Sequence, residues 1–266
     1  MPDVYSHGHH DSVLRAHRWR TVANSAAYLE PWLTPGTTVL DVGCGPGTLS
    51  ADMASLVHPG RFVAVDRAED VLGEARAAAA ASSLSNLEIA VGDVYALDFA
   101  DATFDVVHAH QVLQHLSDPV AALREMRRVC RPGGVVAARD ADYGGFRWFP
   151  ENPGLDRWLE MYQAVARSNR AAPDAGRRLT TWAAEAGFTE VHATASAWCF
   201  ADQGDRTWWG DLWAERVVSS SVATQAIDYA LASRADLEAM AEAWRTWAQA
   251  PVGWLTITHG EIVATA

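Results

Sequence analysis

The sequence predicts an α/β fold in which a parallel β-sheet is covered by helices on both faces. Between residues 37 and 140, short apolar runs alternate with longer helical patterns. Each run is apolar at consecutive positions, which is typical of strands that are buried on both faces. A glycine-rich turn, Gly43 to Gly47, joins the first run to the helix after it. Such sheets bind ligands beyond the carboxyl ends of their strands, and this turn directly follows the first strand.

The predicted elements follow in order along the chain. An opening helix is predicted from about Ser12 to Trp32, before the Pro35-Gly36 pair. The predicted strands are the apolar runs at 39–42, 62–66, 87–91, 104–109, 135–139, 190–197 and 254–263. Helices are predicted at 49–57, from 69 to about Ser82, around 120–129, and within 143–187 and 204–250. The stretch that contains Tyr143, Phe146, Trp148 and Phe149 is predicted to be an aromatic loop.

Composition argues against several classes of function. The 266 residues include 33 acidic and 21 basic side chains, and the net charge of −12 provides no general field for a nucleic acid. The three cysteines are too far apart in sequence for a disulfide framework or a zinc-type pair. The sequence shows no signal-peptide pattern and no apolar run long enough to cross a membrane. We therefore expect a cytoplasmic protein whose partners include neither nucleic acid nor a membrane.

Two carboxylates narrow the meaning of the glycine turn, which alone would suit any nucleotide-like ligand. Glycines accept positive φ and let a ligand approach the backbone, while the free N–H groups of the next helix point toward it. Asp66 ends the second strand, where it can accept hydrogen bonds from both ribose hydroxyls. Asp93 follows the third strand, where it can meet an adenine amine. Either acid alone could instead cap a helix or stabilise a turn. Together the two acids indicate an adenosine site.

These stretches resemble the class I, seven-stranded S-adenosylmethionine-dependent methyltransferases, and are similar to their small-molecule branch, which includes the quinone-biosynthesis C-methyltransferases. The resemblance implies a three-layer Rossmann-like sheet of seven strands, the last antiparallel, with S-adenosyl-L-methionine as cofactor and S-adenosyl-L-homocysteine as product. The motifs that carry it are Asp41-Val42-Gly43-Cys44-Gly45-Pro46-Gly47, Val65-Asp66, Gly92-Asp93, Phe104-Asp105-Val106-Val107, Leu113-Gln114-His115-Leu116 and Arg131-Pro132-Gly133-Gly134.

The resemblance also implies a division of the chain and a set of cofactor contacts. Residues 1–36 are expected to form an N-terminal lid helix, 37–142 the cofactor-binding Rossmann-like core, and 143–266 the rest of the same domain. This last part would contain two helical insertions, 143–187 and 204–250, and the last two strands. The expected contacts are Gly43, Gly45 and Gly47 at the methionine portion, Asp66 at the ribose, Asp93 and Val94 at the adenine, and His110 and Gln111 near the sulfonium, together with Asp41, Cys44, Arg67 and Gly92.

Histidines are the natural candidates for a catalytic base, if the acceptor needs one. His110 is expected beside the reacting methyl group, as a cofactor contact or as a base. His115 lies further along the same segment and His17 lies on the opening helix, and either could serve instead. For His115 the alternative is a structural role in bracing a loop. The sequence leaves the choice among these three residues open.

The N-terminal tail is expected to contribute to the lid and to the substrate pocket. Tyr5, His17 and Arg18 are candidates for lid groups, because related enzymes fold this segment over the cofactor. Arg18 or Arg20 could pair with the methionine carboxylate, the alternative being a solvated helix face. The histidines at positions 7, 9 and 10 lack accompanying acids or cysteines at ligand spacing, so no metal is expected.

Tryptophan is concentrated in the second half of the chain, which has ten of the 12 residues at or beyond position 148. These side chains could fill the interface between the inserted helices and the sheet, or they could line a pocket for a planar acceptor. Arg147, Arg178 or Arg216 could then orient an acidic group of that acceptor. The predicted pocket set is Tyr5, Arg18, Tyr143, Arg147, Trp148, Trp209 and Trp213.

The sequence therefore predicts an S-adenosylmethionine-dependent methyltransferase that acts on a small-molecule acceptor by in-line transfer. A homodimer is the expected assembly, because it is the commonest oligomer of soluble proteins. One alternative is a nucleotide-dependent reductase with a similar glycine turn. The Tyr-x-x-x-Lys pair of many reductases is impossible here, because all 21 basic residues are arginine. A second alternative is a non-catalytic regulatory module that keeps the cofactor site.

Overall fold

The computed structural model describes residues 3, 6, 8, 10–81 and 84–266, and in this part of the chain a sheet of eight strands is flanked by helices. The strands are β1 (Val39–Val42), β2 (Phe62–Asp66), β3 (Leu87–Val91), β4 (Phe104–His110), β5 (Cys130–Ala141), β6 (Arg147–Phe149), β7 (Val191–Phe200) and β8 (Trp254–Thr265). The α-helices are α1 (Asp11–Arg18), α2 (Thr48–Val57), α3 (Glu69–Ala81), α4 (Pro119–Val129), α5 (Pro153–Ser168), α6 (Leu179–Glu185), α7 (Gln203–Ser219), α8 (Ser221–Asp228) and α9 (Arg234–Ala248).

The strand order of the sheet confirms the predicted fold class. The order is β3-β2-β1-β4-β5-β8, and the first five strands in the chain are parallel to one another. β8 runs antiparallel to β5, with Ala141 opposite His259. β7 pairs along the other edge of β8, and β6 pairs with its beginning. Because β1, β2, β3 and β4 point the same way, the residues that follow them meet at one edge of the sheet.

The sheet has one strand more than the resemblance implied. Residues Arg147–Phe149, which were expected in an aromatic loop, pair with Trp254–Thr256 as the short strand β6. This pairing is possible because β8 is long and extends beyond the end of β5. A three-residue strand has too short a pattern to be recognised in the sequence. The predicted ranges of β2 and β3 agree with the observed ones.

The predicted opening helix is interrupted. α1 ends at Arg18, and the chain continues as a turn of π-helix at Val22–Ala26 and a 3₁₀ segment at Ala27–Trp32. Thr21 breaks the helix because its backbone is extended, and its side chain caps the next turn in a reciprocal pair with Asn24. The break places Arg20 beside the carboxyl edge of the sheet. For α3, the predicted end near Ser82 lies outside the described residues.

Three apolar clusters stabilise the molecule. Two of them cover the two faces of the sheet, and the third is formed mainly by α5, α7, α8 and α9 against β7 and β8. Fully buried tryptophans dominate the third cluster: Trp158, Trp213, Trp244 and Trp247. Trp158 packs edge-on against both Trp213 and Trp244, with ring centroids 4.5 and 4.8 Å apart. Most of the tryptophans therefore pack between the inserted helices and the sheet. They form a rigid support for the few tryptophans that line a cavity.

Candidate active site

The glycine turn begins where β1 ends, and its shape requires glycine. Gly43 and Gly47 have φ angles of 72° and 76°, in the left-handed region that other residues rarely adopt. A Cβ atom on Gly43 would lie 2.4 Å from a methyl carbon of Val112, and one on Gly47 would lie 2.8 Å from the Cβ of Ala75. Gly47 therefore packs against α3 and starts α2, while Gly43 and Gly45 form the floor of a cavity.

Asp66 holds this turn in place. One of its carboxylate oxygens accepts a hydrogen bond from the Gly45 N–H, and the other accepts one from the Ala68 N–H, both at 3.0 Å. Asp93 follows β3 and accepts a hydrogen bond from the Tyr95 N–H at 3.0 Å. Both carboxylates border the same cavity, as their positions at the ends of neighbouring parallel strands predict.

This first cavity has a volume of about 180 Å³ at the carboxyl edge of the sheet. It brings together residues that are far apart in the sequence. Most of the predicted cofactor contacts line it: Gly43, Cys44, Gly45, Asp66, Arg67, Gly92, Asp93, Val94, His110 and Gln111. The histidines proposed as bases, His17 and His115, line it as well, and so does Arg20.

Asp41 has a supporting position behind the glycine turn. Its side chain is buried, and one oxygen accepts a hydrogen bond from the Ser50 hydroxyl at 2.5 Å. The other oxygen is 2.8 Å from Nδ1 of His108 on β4. Asp41 therefore ties β1 to α2 and β4, and the structure places it beneath the turn, outside the lining of the first cavity.

Asp3 is a wall residue that no sequence pattern indicated. Its carboxylate accepts hydrogen bonds from the Ser117 N–H at 3.0 Å and the Tyr95 hydroxyl at 2.9 Å. Its backbone carbonyl accepts one from Arg67 at 3.0 Å. Burial alone would raise the pKa of Asp3, but the hydrogen bonds from Ser117 and Tyr95 outweigh it and the pKa is lowered. Asp3 thus links the segments that follow β2, β3 and β4 across the cavity.

We expect the Asp3→Asn substitution to speed ligand release from the first cavity several-fold, because an amide cannot accept both hydrogen bonds as an ionised carboxylate does. Stopped-flow dissociation of S-adenosylhomocysteine measures this rate. Glu88→Gln is the matched control, since Glu88 is an exposed carboxylate of β3 that pairs with Arg61 and lines neither cavity. Equal release rates from both variants would show that Asp3 does not retain the ligand.

His110 lies at the end of β4 with an unusual environment. It is 5% exposed, and neither ring nitrogen has a hydrogen-bond partner among the described residues. Burial, reinforced by the nearby Arg20 and Arg139, holds its pKa well below the ordinary value, so the imidazole is neutral. Its ring lies 6.2 Å from that of Trp198. A neutral ring with unpaired nitrogens at a cavity wall is a contact for a polar or cationic ligand group.

His115 is also neutral, for a similar reason. Burial, with a smaller contribution from Arg20, lowers its pKa to about 3. Its Nε2 lies 3.1 Å from the side-chain amide nitrogen of Gln114. The unprotonated nitrogen of a neutral imidazole can accept a hydrogen bond from that amide. A group with such a pKa is too weak a base to take a proton near neutral pH. The geometry therefore favours the bracing role for His115.

A second, narrower cavity adjoins the first. Its volume is about 30 Å³, and His17, Arg20, Gln111 and His115 line both cavities. The remaining walls are mostly aromatic and come from the 3₁₀ turn after β5, from β7 and from α7: Tyr143, Phe146, Trp198, Trp209, Trp213 and Arg216, with Ala16, Ala141 and Ile257. Three residues of the predicted pocket set, Tyr143, Trp209 and Trp213, are therefore together here.

The other members of that set lie elsewhere. Arg18 is on the outer side of α1, where its guanidinium pairs with Glu74 of α3 at 2.9 Å. Arg147 is exposed on β6 and donates to the carbonyls of Gly144 and Phe146, and Trp148 packs against the tryptophan cluster. Because successive side chains of β6 point to opposite faces, Arg147 is directed to solvent while Trp148 packs inward. Tyr5 lies outside the described residues, as do the histidines at positions 7 and 9.

Gln111 joins the two cavities and has a strained backbone. Its φ is 54°, which is uncommon for a residue with a side chain and occurs often at functional sites. Its side-chain oxygen accepts a hydrogen bond from Arg20 at 3.0 Å. Its amide nitrogen lies 2.9 Å from Nε2 of His259, which burial keeps neutral by lowering its pKa. His259 and Arg20 thus fix the side chain of Gln111 between the cavities.

The described part of the chain contains no group of three or more His, Cys, Asp or Glu side chains that could hold a metal ion. None of its helices has the length and apolar character needed to span a membrane.

Comparison with known proteins relates this site to a family. The family model described as "Methyltransferase domain" matches residues 33–201. An uncharacterized methyltransferase of Schizosaccharomyces pombe is 35% identical over 270 residues, which cover 97% of this chain and 95% of the relative. A demethylmenaquinone methyltransferase of Listeria monocytogenes is 33% identical over 133 residues, which cover 50% of this chain and 52% of the relative.

Solved structures of the same fold contain the ligand that the first cavity suggests. Phosphoethanolamine N-methyltransferase 2 of Haemonchus contortus, in complex with phosphomonomethylethanolamine and S-adenosylhomocysteine, has a TM-score of 0.54 and 17% identity to this chain. The similarity covers 87% of this chain and 49% of the other. At this identity the similarity concerns the fold alone.

The residues of the first cavity fit S-adenosylmethionine. Asp66 and Asp93 line the cavity and would supply carboxylate acceptors for ribose hydroxyls and an adenine amine, and Val94 and Leu116 would supply apolar walls for the ring. Gly45 leaves the backbone open to a ligand, since only His17 would come within 4 Å of an added Cβ, at 3.5 Å. The unpartnered neutral ring of His110 adds no positive charge beside a sulfonium. On its site, its sheet and its relatives, the chain belongs to the class I S-adenosylmethionine-dependent methyltransferases.

Proposed function

We propose that this protein transfers a methyl group to a small organic acceptor that binds in the second cavity. The observation that carries the proposal is the continuity of the two cavities, which share the walls formed by His17, Arg20, Gln111 and His115. An acceptor in the second cavity would therefore lie directly beside a donor in the first. The cavity is enclosed by aromatic side chains and by α1, which suits a small molecule better than a polymer.

When bound, S-adenosylmethionine supplies a methyl group on a sulfonium, and in-line displacement joins that carbon to the acceptor's lone pair as the electrons of the broken C–S bond move to sulfur. The protein's contribution to such a reaction is alignment and exclusion of water. Asp66 and the glycine turn would orient the donor. Gln111, fixed by Arg20 and His259, would orient the donor and acceptor groups that face each other between the two cavities. The rings of Trp209 and Trp213 would exclude water.

The second cavity is closed in this structure, since its volume of about 30 Å³ admits a functional group but not a ring, so the proposal requires α1 to move away when a ring-bearing acceptor binds. α1 contributes Ala16 and His17 to the wall of this cavity, and two contacts hold it closed. Arg15 pairs with Glu215 of α7, and Arg18 pairs with Glu74 of α3. Arg18 thus supports the lid expected of the N-terminal segment, through an ion pair at the surface.

The test uses tritiated S-adenosylmethionine and a cell extract separated by size into small molecules and macromolecules. We expect the label to appear in the small-molecule fraction, with S-adenosylhomocysteine as the second product. Mass spectrometry would then identify the acceptor by its gain of one methyl group. Label found only in protein or nucleic acid would contradict the proposal. The Asp66→Ala variant provides the control for background methylation.

A nucleotide-dependent reductase is the enzyme class that the glycine turn alone left open, and the match to the methyltransferase family argues against it. Calorimetry with S-adenosylhomocysteine and with NADH separates the two. We expect heat of binding with S-adenosylhomocysteine, and heat with NADH alone would favour the reductase.

A further inference from the structure

The charge of the second cavity differs from that of the protein as a whole. The chain has a net charge of −12, yet the described residues that line this cavity include Arg20 and Arg216 and no aspartate or glutamate. The first cavity, by contrast, is bordered by Asp3, Asp66 and Asp93. Two guanidinium groups among aromatic rings create a positive potential, because the surroundings screen it less than water would.

Arg216 is the more informative of the two arginines, since it lines only the second cavity. It belongs to α7 and is 4% exposed. Its guanidinium carbon lies 4.4 Å from the centre of the Trp213 ring, and one terminal nitrogen donates a hydrogen bond to the Ser12 carbonyl at 2.7 Å. The side chain is therefore held in one orientation by packing. A buried cation beside a cavity favours a ligand that brings the opposite charge.

Two of the three described histidines that border the cavities support the same conclusion. His110 and His115 are held neutral by burial, and His115 is too weak a base to remove a proton near neutral pH. An acceptor that is already ionised needs no such base. The arrangement thus suits an acceptor that arrives as an anion.

We propose that the methyl acceptor is a planar organic acid that binds as an anion, with its oxyanion at Arg216 and its ring against Trp209 and Trp213. This inference rests on the proposed function, because it takes the second cavity to be the acceptor site. Tyr143 and Phe146, whose rings stack with centroids 4.4 Å apart, form the facing wall for a flat molecule.

The experiment measures the binding of benzoate and of benzamide to the protein saturated with S-adenosylhomocysteine, by calorimetry. The two probes have the same ring and nearly the same shape, and they differ in charge. We expect benzoate to bind at least about tenfold more tightly, the ratio that corresponds to a hydrogen bond with a charged group. Equal affinities, or no saturable binding of benzoate, would overturn the inference. This comparison needs no variant.

Variants of Arg216 then test whether this residue is responsible for the preference for benzoate. Arg216→Met is expected to abolish the preference for benzoate, while Arg216→Lys keeps the charge and should retain part of it. Arg206→Met is the matched control, because Arg206 is 3% exposed on the same helix but lines neither cavity. An unchanged preference in Arg216→Met would also overturn the inference.

Binding of S-adenosylhomocysteine distinguishes a failure of the proposed function from a failure of the inference about the acceptor. If the wild-type protein does not bind it, the proposed function fails. If it binds but benzoate is not preferred, only the inference about the acceptor fails. Each variant is accepted for the comparison when its affinity for S-adenosylhomocysteine equals that of the wild type, which shows that the first cavity is intact.

Discussion

Replacing Asp66 by alanine is expected to weaken the binding of S-adenosylhomocysteine by about 1.5 to 3 kcal/mol, or roughly 10- to 100-fold in Kd. Two effects combine in this loss. The variant removes the carboxylate that would accept the ribose hydroxyls, and it leaves the N–H groups of Gly45 and Ala68 without their acceptor. The second effect loosens the glycine turn on which the donor would lie. Calorimetric titration of both proteins measures the difference.

Two controls define what the Asp66 result means. Asp66→Asn keeps one side-chain oxygen that can accept from the Gly45 N–H, so its affinity should lie between those of the wild type and the alanine variant. Glu88→Ala removes an exposed carboxylate of the neighbouring strand β3, one that pairs with Arg61 and lines neither cavity. Its affinity should equal that of the wild type. An unchanged Kd in Asp66→Ala would remove the ribose assignment.

Replacing Asp140 by asparagine is expected to change how the stability of the protein depends on pH. Asp140 is the next-to-last residue of β5, is fully buried, and accepts a hydrogen bond from the Gln114 N–H at 3.1 Å. Its second oxygen has no partner among the described residues. Burial raises the pKa of this carboxyl to about 8, although the nearby backbone N–H groups of Gln114 and Leu113 partly oppose the rise.

The sign of the effect follows from the two protonation states. Near pH 7 the folded protein holds a proton on Asp140 that the unfolded chain, with a pKa of about 4, has lost. The stability contributed by this proton is therefore complete below about pH 4 and is lost as the pH rises to about 8. At roughly 1.4 kcal/mol per pKa unit, the loss over these roughly four units is about 6 kcal/mol. Asparagine does not titrate, so the stability of Asp140→Asn relative to that of the wild type should increase by this amount between about pH 4 and about pH 8.

Chemical denaturation at several pH values measures the difference between the two proteins. The free energy of unfolding of Asp140→Asn minus that of the wild type should increase from about pH 4 to about pH 8 and then remain constant. Asp140→Ala is the companion variant. It also lacks the titration, but it leaves the Gln114 N–H without an acceptor and should be less stable than the asparagine variant at every pH. A difference that does not vary with pH would show that Asp140 is ionised in the folded protein.

The core of the fold could be predicted from sequence because its signals are local. The strands β1 to β5 are apolar at consecutive positions, and the helices between them are periodic, so both could be recognised within a few residues. The glycine turn is local too, since its conformation excludes most other residues at Gly43 and Gly47. Asp66 and Asp93 could be placed at one edge because parallel strands end together.

The features that could not be predicted depend on contacts between distant segments. Asp3 meets Tyr95 and Ser117 across separations of 92 and 114 residues, and no local pattern marks such a pairing. The break in the predicted opening helix depends on Thr21, whose capping role competes with a continuous apolar pattern. Strand β6 exists only because β8 extends past the end of β5.

Local patterns in the chain are sufficient to predict the strands β1 to β5, the glycine turn and its two acids, and through the motifs that join them the methyl donor. Which tryptophans and arginines meet at the second cavity depends on tertiary packing, because α1, β7 and α7 converge there from three distant parts of the chain. Arg216 lines the second cavity and Arg18 and Arg147 do not, since the burial and orientation of a side chain depend on how its helix or strand packs. The residues of the first cavity can thus be recognised from local patterns, whereas those of the second cavity come together only through packing.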